Sequence, residues 1–331
     1  MKKIINYLGL NTKKFVGLVF GAILLIISLC LPEIGGLSQQ AIRTLGILVS
    51  FLILLITEAL PVVVISLLFV GLLALTKVSP NLGAALSGFS QPVVFFTLAS
   101  FGLAAAFTTT PLAKRILRGI LKLFGKSVNL VLLSLMLFAA LVSSIISNVP
   151  TCAVFMAIGL DFLNLYDNEE DKKKTGRVFM IAIPIASMIG GMMTPAGSSI
   201  NLIAIGLLEA YNGSTISFVE WMLAGVPLAL VLLPLAWFLI IKIYKPVEVS
   251  TEKIKDFSIK MDIPSKITGK EIKTLIIAGT MLILWVLSSW FSFFNVMVIA
   301  LLGCVVLFLP GIDVLKVDVF LKKIVGMLSF W

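Results

Sequence analysis

The sequence of 331 residues contains no histidine, only three cysteines, and only 13% charged residues. Without histidine the chain lacks the commonest general base and the commonest transition-metal ligand. The cysteines (Cys30, Cys152 and Cys304) stand apart in apolar runs, so they indicate neither a metal cluster nor a disulfide. No nucleophile–base pair stands in the apolar segments, and we therefore do not expect an enzyme.

Charge is scarce because most of the chain is apolar. Hydrophobic residues make up 60% of the sequence, and its mean hydropathy is +1.14. A soluble domain has about 25% charged residues and about 45–50% apolar residues. The apolar runs are long enough to cross a lipid bilayer as helices rather than as barrel strands. The composition predicts an all-α integral membrane protein whose first helix is not cleaved, because no small-x-small site follows it.

The net charge of +10 does not indicate nucleic-acid binding, because the basic residues lie in short segments between apolar runs, where orientation signals belong. The apolar runs are 15–31, 44–60, 62–76, 92–110, 129–146, 151–165, 178–210 with an interruption, 222–241, 274–290 and 294–309.

One arrangement of these runs places nearly all basic residues on one side of the membrane. In it, 129–165 is a re-entrant hairpin that turns at Pro150, and every other run crosses once. All basic residues except Arg43 and Lys77 then share one side. This predicts a multi-pass protein of the inner or plasma membrane with its N-terminus in the cytoplasm.

Segment 112–126, LAKRILRGILKLFGK, has apolar residues at helical spacing and basic residues between them. The pattern predicts a helix that lies in the cytoplasmic interface of the membrane. The alternative is a simple loop.

Two apolar hairpins resemble each other at an offset of 230 residues, one beginning at Ile42 and the other at Ile272. Five predicted crossings separate them, so they enter the membrane from opposite sides, as inverted repeats of secondary transporters do. We divide the chain into an N-terminal scaffold helix (1–43), a first repeat (44–241), a cytoplasmic linker (242–273) and a partial second repeat (274–331). The second repeat is predicted to be truncated, and we expect a fragment of a longer protein.

Two polar islands interrupt the apolar runs, SSIISNVPT at 143–151 and GGMMTPAGSSIN at 190–201. Gly190, Gly191, Pro195 and Gly197 of the second island predict that its helix unwinds there. In the first island, Pro150 fits the first turn of a helix that Asn148 caps. Hydroxyls, amides and freed backbone groups at membrane depth suit a Na⁺ ion, or an anion held by N–H groups. The alternative is that both islands are helix contacts and a proline kink.

Titratable residues are nearly missing from the centres of the apolar runs. The exceptions, Glu58 and Asp161, stand near the predicted cytoplasmic ends of their segments, and Glu58 also fits an interfacial turn before Pro61. Proton-coupled carriers usually need a titratable group within the membrane. The sequence therefore favours coupling to Na⁺ over coupling to H⁺.

Four stretches, in this order, resemble the divalent anion/sodium symporter family of dicarboxylate, citrate and sulfate carriers. They are TEALPVVVISLL, GLAAAFTTTPLAKRILRGILKLFG, SNVPT and TPAGSSINLIAIG. The resemblance implies an elevator-type carrier with inverted repeats, a re-entrant hairpin and broken helices, which forms a homodimer when full-length.

The resemblance also implies the residues of the site. A sodium site would consist of Ser143, Ser147, Asn148, Gly197 and Ser198, and the anion would contact Ser147, Asn148 and Thr151. Thr194 and Asn201 are further candidates. Val149 departs from the family pattern, which commonly has threonine there.

The function expected from the sequence is Na⁺-coupled symport of a small divalent anion, such as a C4-dicarboxylate, citrate or sulfate. The alternatives are a Na⁺-independent anion exchanger, another carrier of the same superfamily (an arsenite permease or a Na⁺/H⁺ antiporter), and a truncated membrane protein that does not transport.

Overall fold

The computed structural model describes residues 11–260 and 263–322, which form helices joined by short turns in two compact units that divide after Gln91. Lys2 and Lys3, on which the predicted orientation partly depends, and 323–331, the end of the predicted second repeat, lie outside the described residues. The first unit contains α1 (Thr12–Cys30), α2 (Gln39–Thr57), α3 (Val62–Leu75), α4 (Leu82–Leu86) and a 3₁₀ turn (Ser87–Ser90).

The second unit begins at Pro92. Its helices are α5 (Pro92–Thr109), α6 (Leu112–Phe124), α7 (Val128–Ile146), α8 (Asn148–Leu163), α9 (Glu169–Gly191), α10 (Ser199–Asn212), α11 (Phe218–Tyr244), α12 (Thr251–Lys260), α13 (Gly269–Leu287) and α14 (Val296–Val306). A 3₁₀ turn, Pro195–Gly197, lies between α9 and α10.

Five helical stretches of the described residues are long and apolar enough to cross a membrane: Thr12–Cys30, Gln39–Thr57, Leu82–Thr109, Val128–Ile146 and Phe218–Tyr244. The all-α prediction is thereby confirmed. The re-entrant path of α7 and α8 stays a prediction.

Helices α1 and α2 pack through small residues. A Cβ atom on Gly17 would lie 2.1 Å from Oγ1 of Thr57. Ser50 of α2 donates a hydrogen bond of 2.9 Å to the carbonyl of Gly21. Small residues let two helix backbones approach closely, which is how helices associate in lipid, where burial of apolar surface gives little driving force.

Helix α9 lies at the centre of the second unit, against α7, α8 and α11. Its Phe179 is fully buried and stacks on Phe162 of α8, with ring centroids 5.3 Å apart. A second cluster joins α5, α13 and α14 around the buried Trp285. The C-terminal end of α9 thus enters the second polar island from a well-packed core.

The predicted helix at 112–126 is confirmed as α6, and the loop alternative is wrong. Leu117 and Ile120 are fully buried in the core of the second unit, whereas Leu123 is 69% exposed. Most of the apolar stripe of α6 therefore packs on protein. The location of α6 at the membrane interface stays a prediction.

The predicted linker, 242–273, packs against the second unit and contains the helix α12. Ile254 of α12 is fully buried against the core. Tyr166 donates a hydrogen bond of 2.5 Å to the carbonyl of Val247, and burial raises the pKa of the Tyr166 hydroxyl to about 12. The hydroxyl therefore remains a donor across the physiological pH range.

A buried ion pair joins α6 to the start of α13. The side chain of Glu271 is fully buried and that of Arg115 is 19% exposed, with Nε of Arg115 2.7 Å from Oε1 of Glu271. Arg115 also donates to the carbonyls of Pro264 and Lys266. Thr268 donates to Glu271 through its N–H and its hydroxyl. One arginine thus fixes the end of the linker and the first turn of α13.

We expect Glu271→Ala to lower the free energy of unfolding by about 3 kcal/mol, because the Arg115 guanidinium loses its buried partner. The pair Lys253–Asp167 is a matched control, since its side chains are 50% and 87% exposed. Asp167→Ala should cost less than about 1 kcal/mol. Thermal unfolding of the purified proteins measures both, and equal losses would contradict the buried pair's role.

The first helices of the two repeat copies have the same length. The bounds of α13 are those of α2 shifted by 230 residues at both ends. The second helix of each copy differs more, because α14 has 11 residues and α3 has 14. The inverted relation of the two copies and the domain limits drawn from it stay predictions.

Candidate functional site

A single residue, Ser147, separates α7 from α8. Its φ of 90° and ψ of 155° fall in a region that glycine favours and that costs other residues about 1–3 kcal/mol. Ser147 occupies the N-cap position of α8, and its side chain makes no capping hydrogen bond. The prediction that Asn148 caps α8 is wrong: Asn148 is the first helical residue, while Pro150 lies in the first turn as predicted.

Asn148 does not cap its own helix because its amide contacts three other oxygens. Since all three neighbours are oxygens, the amide nitrogen faces them, 2.9 Å from Oγ of Ser143, 3.0 Å from the carbonyl oxygen of Gly197 and 3.1 Å from that of Ser187, and its two N–H groups are shared among them. Ser143, which is fully buried, donates in turn to the Ser187 carbonyl at 2.7 Å. Oxygens from α7, α9 and the 3₁₀ turn therefore converge on one point beside the hairpin tip.

The break predicted in the run 178–210 is confirmed at residues 192–198, between α9 and α10. Thr194 connects this break to the hairpin. Its hydroxyl donates to the carbonyl of Ser144 at 2.5 Å and accepts from the N–H of Gly197 at 2.9 Å. The second polar island is thus tied to the first by a side chain.

Asn201, in the first turn of α10, forms hydrogen bonds to the end of α9 and to the break. Its Nδ2 donates to the carbonyl of Gly191 at 2.7 Å and to that of Thr194 at 2.9 Å. Ser198 is the N-cap residue of α10, and its Oγ accepts from the N–H of Ile200 at 3.3 Å. These carbonyls, which the break releases from helical hydrogen bonding, are thereby paired within the protein, as a membrane-embedded backbone requires.

Gly190 and Gly191 do not unwind the helix, contrary to the prediction, because both are the last helical residues of α9. A Cβ atom on Gly190 would lie 2.2 Å from the carbonyl oxygen of Ala140 in α7. A Cβ atom on Gly191 would lie 1.7 Å from the side-chain amide of Asn148. These glycines therefore allow close approach of α9 to the hairpin, and the unwinding begins at Met192.

A groove of about 400 Å³ runs beside the hairpin tip. Its polar lining consists of Asn148, Ser198 and Asn201, and Gly191 lines it together with isoleucine and methionine side chains. None of its lining residues, all of which belong to the described part of the chain, is titratable. The arrangement offers neutral oxygen and nitrogen atoms only, which suits ion binding without proton exchange.

Thr151 is not brought to this groove. It is 1% exposed, and its hydroxyl has no hydrogen-bond partner among the described residues. It lines a small apolar cavity together with Phe107, Ile116 and Phe155. Its contact with an anion stays a prediction that this arrangement does not favour.

Sequence reasoning missed Ser187 and Ser144. The carbonyl of Ser187 belongs to the oxygen cluster, and its own buried hydroxyl has no partner in the described ranges. A signal was present, because Ser187 precedes Gly190 and Gly191 by three and four residues and so shares their face of α9. Ser144 takes part through its backbone carbonyl, which no residue type would reveal.

Comparison with known proteins identifies the relatives of this chain. The family model of the sodium:sulfate symporter transmembrane region matches residues 12–324. A sodium-dependent dicarboxylate transporter, SdcS, of Staphylococcus saprophyticus is 30% identical over 237 residues, which are 70% of this chain and 46% of that protein. SdcS of Staphylococcus aureus strain MRSA252 is 29% identical over 235 residues, 69% of this chain and 45% of that protein.

The chain therefore spans about half the length of these curated relatives. The family match covers nearly all of the described residues, and the four motifs of the sequence lie within it. The chain belongs to the divalent anion/sodium symporter family, a family of multi-pass membrane transporters.

Proposed function

We propose that the protein acts in Na⁺-coupled transport of small divalent anions across the cell membrane, with C4-dicarboxylates as the first candidates. The family and its SdcS relatives, which are sodium-dependent dicarboxylate transporters, support this proposal. The proposal includes a cytoplasmic N-terminus, an elevator-type mechanism with inverted repeats, and a homodimer of the full-length protein.

The convergence of oxygens at Asn148 carries the proposal. Ser143 Oγ and the carbonyls of Ser187 and Gly197 all lie within 3.1 Å of one end of the Asn148 amide. Neutral oxygens of this kind are the ligands that hard cations prefer. If the amide turned by half a turn and moved back, its oxygen would be a fourth ligand to a cation held between it and these three oxygens. We propose that the sodium ion binds in that position, with Ser147 and Ser198 completing the set.

The anion is proposed to bind in the groove next to this ion. Asn148 lines the groove and also faces the oxygen cluster. Its side chain would therefore contact both the ion and the carboxylate. A bound cation would also favour the anion electrostatically. Val149, which is 38% exposed, offers the carboxylate no hydroxyl.

The test is uptake of labelled succinate, citrate and sulfate by proteoliposomes, with an inward Na⁺ gradient or with K⁺ in its place. We expect Na⁺-dependent uptake of succinate. A second measurement, the Na⁺-specific shift of the thermal unfolding midpoint, reports ion binding by this chain directly. Folded protein that takes up none of the three anions and shows no shift would overturn the proposal. Succinate counterflow without Na⁺ would favour the exchanger.

Ser147 permits a test that separates stability from binding. Ser147→Gly should raise the free energy of unfolding by about 1 kcal/mol, because glycine adopts the φ of 90° without strain. It should nevertheless weaken Na⁺ binding, because the hydroxyl is lost. Ser147→Ala is the matched control, since it loses the same hydroxyl and keeps the strain. Unfolding midpoints with and without Na⁺ measure both effects, and unchanged Na⁺ affinity in both variants would remove Ser147 from the ion site.

A further inference from the structure

A basic groove of about 960 Å³ lies between α6 and α12, apart from the site beside Asn148. Five basic side chains line it, and none of its lining residues is acidic. Arg115 is already paired with Glu271. The other four make no salt bridge with any described residue: Arg118, Lys122, Lys126 and Lys255.

Four unpaired cations around one groove repel one another, and a groove with one sign of charge concentrates anions. Ser258 and Thr251 add hydroxyl groups to the lining. Guanidinium and ammonium groups together with hydroxyls form the donor set that binds a phosphate group. The groove therefore has the chemistry of a phosphate site.

The rim of the groove indicates where that phosphate comes from. Leu123 and Ile259 line the groove and are 69% and 80% exposed. A small soluble anion gains nothing from exposed aliphatic side chains, whereas a lipid places its acyl chains against them. The basic face of α6 also matches helices that lie on anionic membranes.

We propose that this groove binds the headgroup of an anionic phospholipid. The phosphate lies among Arg118, Lys122 and Lys255, and the acyl chains pass over Leu123 and Ile259. This proposal depends on α6 lying at the membrane surface and not on Na⁺ coupling. The bound lipid would join α6 to α12 and so reinforce the packing of the linker on the second unit.

The test compares thermal unfolding midpoints of the purified chain in detergent with added phosphatidylglycerol, phosphatidylcholine or glycerol phosphate. We expect phosphatidylglycerol to stabilise the protein at a concentration at least tenfold lower than phosphatidylcholine does. The groove variant Arg118→Gln/Lys122→Gln/Lys255→Gln should lose this preference, at about fivefold per removed charge. The control variant Lys173→Gln/Lys174→Gln/Arg177→Gln removes three exposed charges elsewhere and should keep it.

Two results would overturn the proposal. The first is a groove variant that prefers phosphatidylglycerol as strongly as the control variant does. The second is stabilisation by glycerol phosphate equal to that by phosphatidylglycerol, which would identify a site for a soluble phosphate compound. If the triple variant does not fold, Lys122→Gln and Lys255→Gln singly replace it, because both side chains are exposed and each substitution should cost about fivefold in apparent affinity.

Discussion

Asn148→Ala should lower Na⁺-dependent uptake by about 100-fold, the upper end of the losses seen when groups that orient metal ligands are removed. The amide is the only group that faces Ser143, Ser187 and Gly197 together among the described contacts. Its removal takes the amide donor away from the carbonyls of Ser187 and Gly197 and deprives the proposed ion of a ligand. The readout is initial uptake of labelled succinate at saturating Na⁺.

The structure changes the expected effect of this substitution on folding. From the sequence alone, an amide at a hairpin tip contributes little packing, and folding should be largely unaffected. In the structure Asn148 is partly buried and donates to two backbone carbonyls, so Asn148→Ala should also cost about 1–3 kcal/mol of stability. Uptake must therefore be normalised to folded protein.

Two further variants make the Asn148 result decisive. Asn164→Ala, which removes an exposed amide at the end of α8, should transport normally. Asn148→Asp keeps the side-chain oxygen and replaces the donating NH2 group with a second oxygen, so it should be unstable in K⁺ and regain stability in Na⁺. Uptake by Asn148→Ala at the rate of Asn164→Ala would refute the assignment of the ion site.

Gly190→Ala should lower the free energy of unfolding by about 3 kcal/mol or more. Its Cβ atom would lie 2.2 Å from the carbonyl oxygen and 2.4 Å from the Cα of Ala140. These are backbone atoms of α7 that cannot rotate away, so α7 and α9 would have to separate. Such a clash costs more stability than one that a flexible side chain can relieve. The midpoint of thermal unfolding, followed by tryptophan fluorescence, measures the loss.

The control for Gly190 is Gly279→Ala in α13, where an added Cβ atom meets nothing within 4 Å. It should leave stability unchanged or raise it by about 0.5–1 kcal/mol, because alanine is the better helix former. Opposite signs for the two glycines are the expected result. An unchanged midpoint for Gly190→Ala would show that α7 and α9 are not in close contact there.

Local features of the fold could be predicted from the sequence. Helix α6 follows from its spacing of leucines and basic residues, and the break near Pro195 follows from residues that cannot continue a helix. Each of these predictions depends on residues close together in the chain.

The contacts of the site could not be predicted in the same way. Asn148 at a helix start is an ordinary capping pattern, and only the positions of Ser187 and Gly197 show that its amide turns elsewhere. Gly190 fits either a helix end or a close helix contact, and the choice depends on Ala140, which lies fifty residues earlier in the chain. Tertiary contacts at long sequence separation decided both cases.

Thr194 and Asn201 have a mechanical consequence. Because their side chains link the break to α7 and to the end of α9, we expect the hairpin, the break and α10 to move together. In the proposed elevator cycle these elements would move across the membrane with the ion and its ligands already in contact. The ion would then keep the same coordination in the outward-facing and inward-facing states. The gradients of ion and substrate across the membrane would set the direction of net flux.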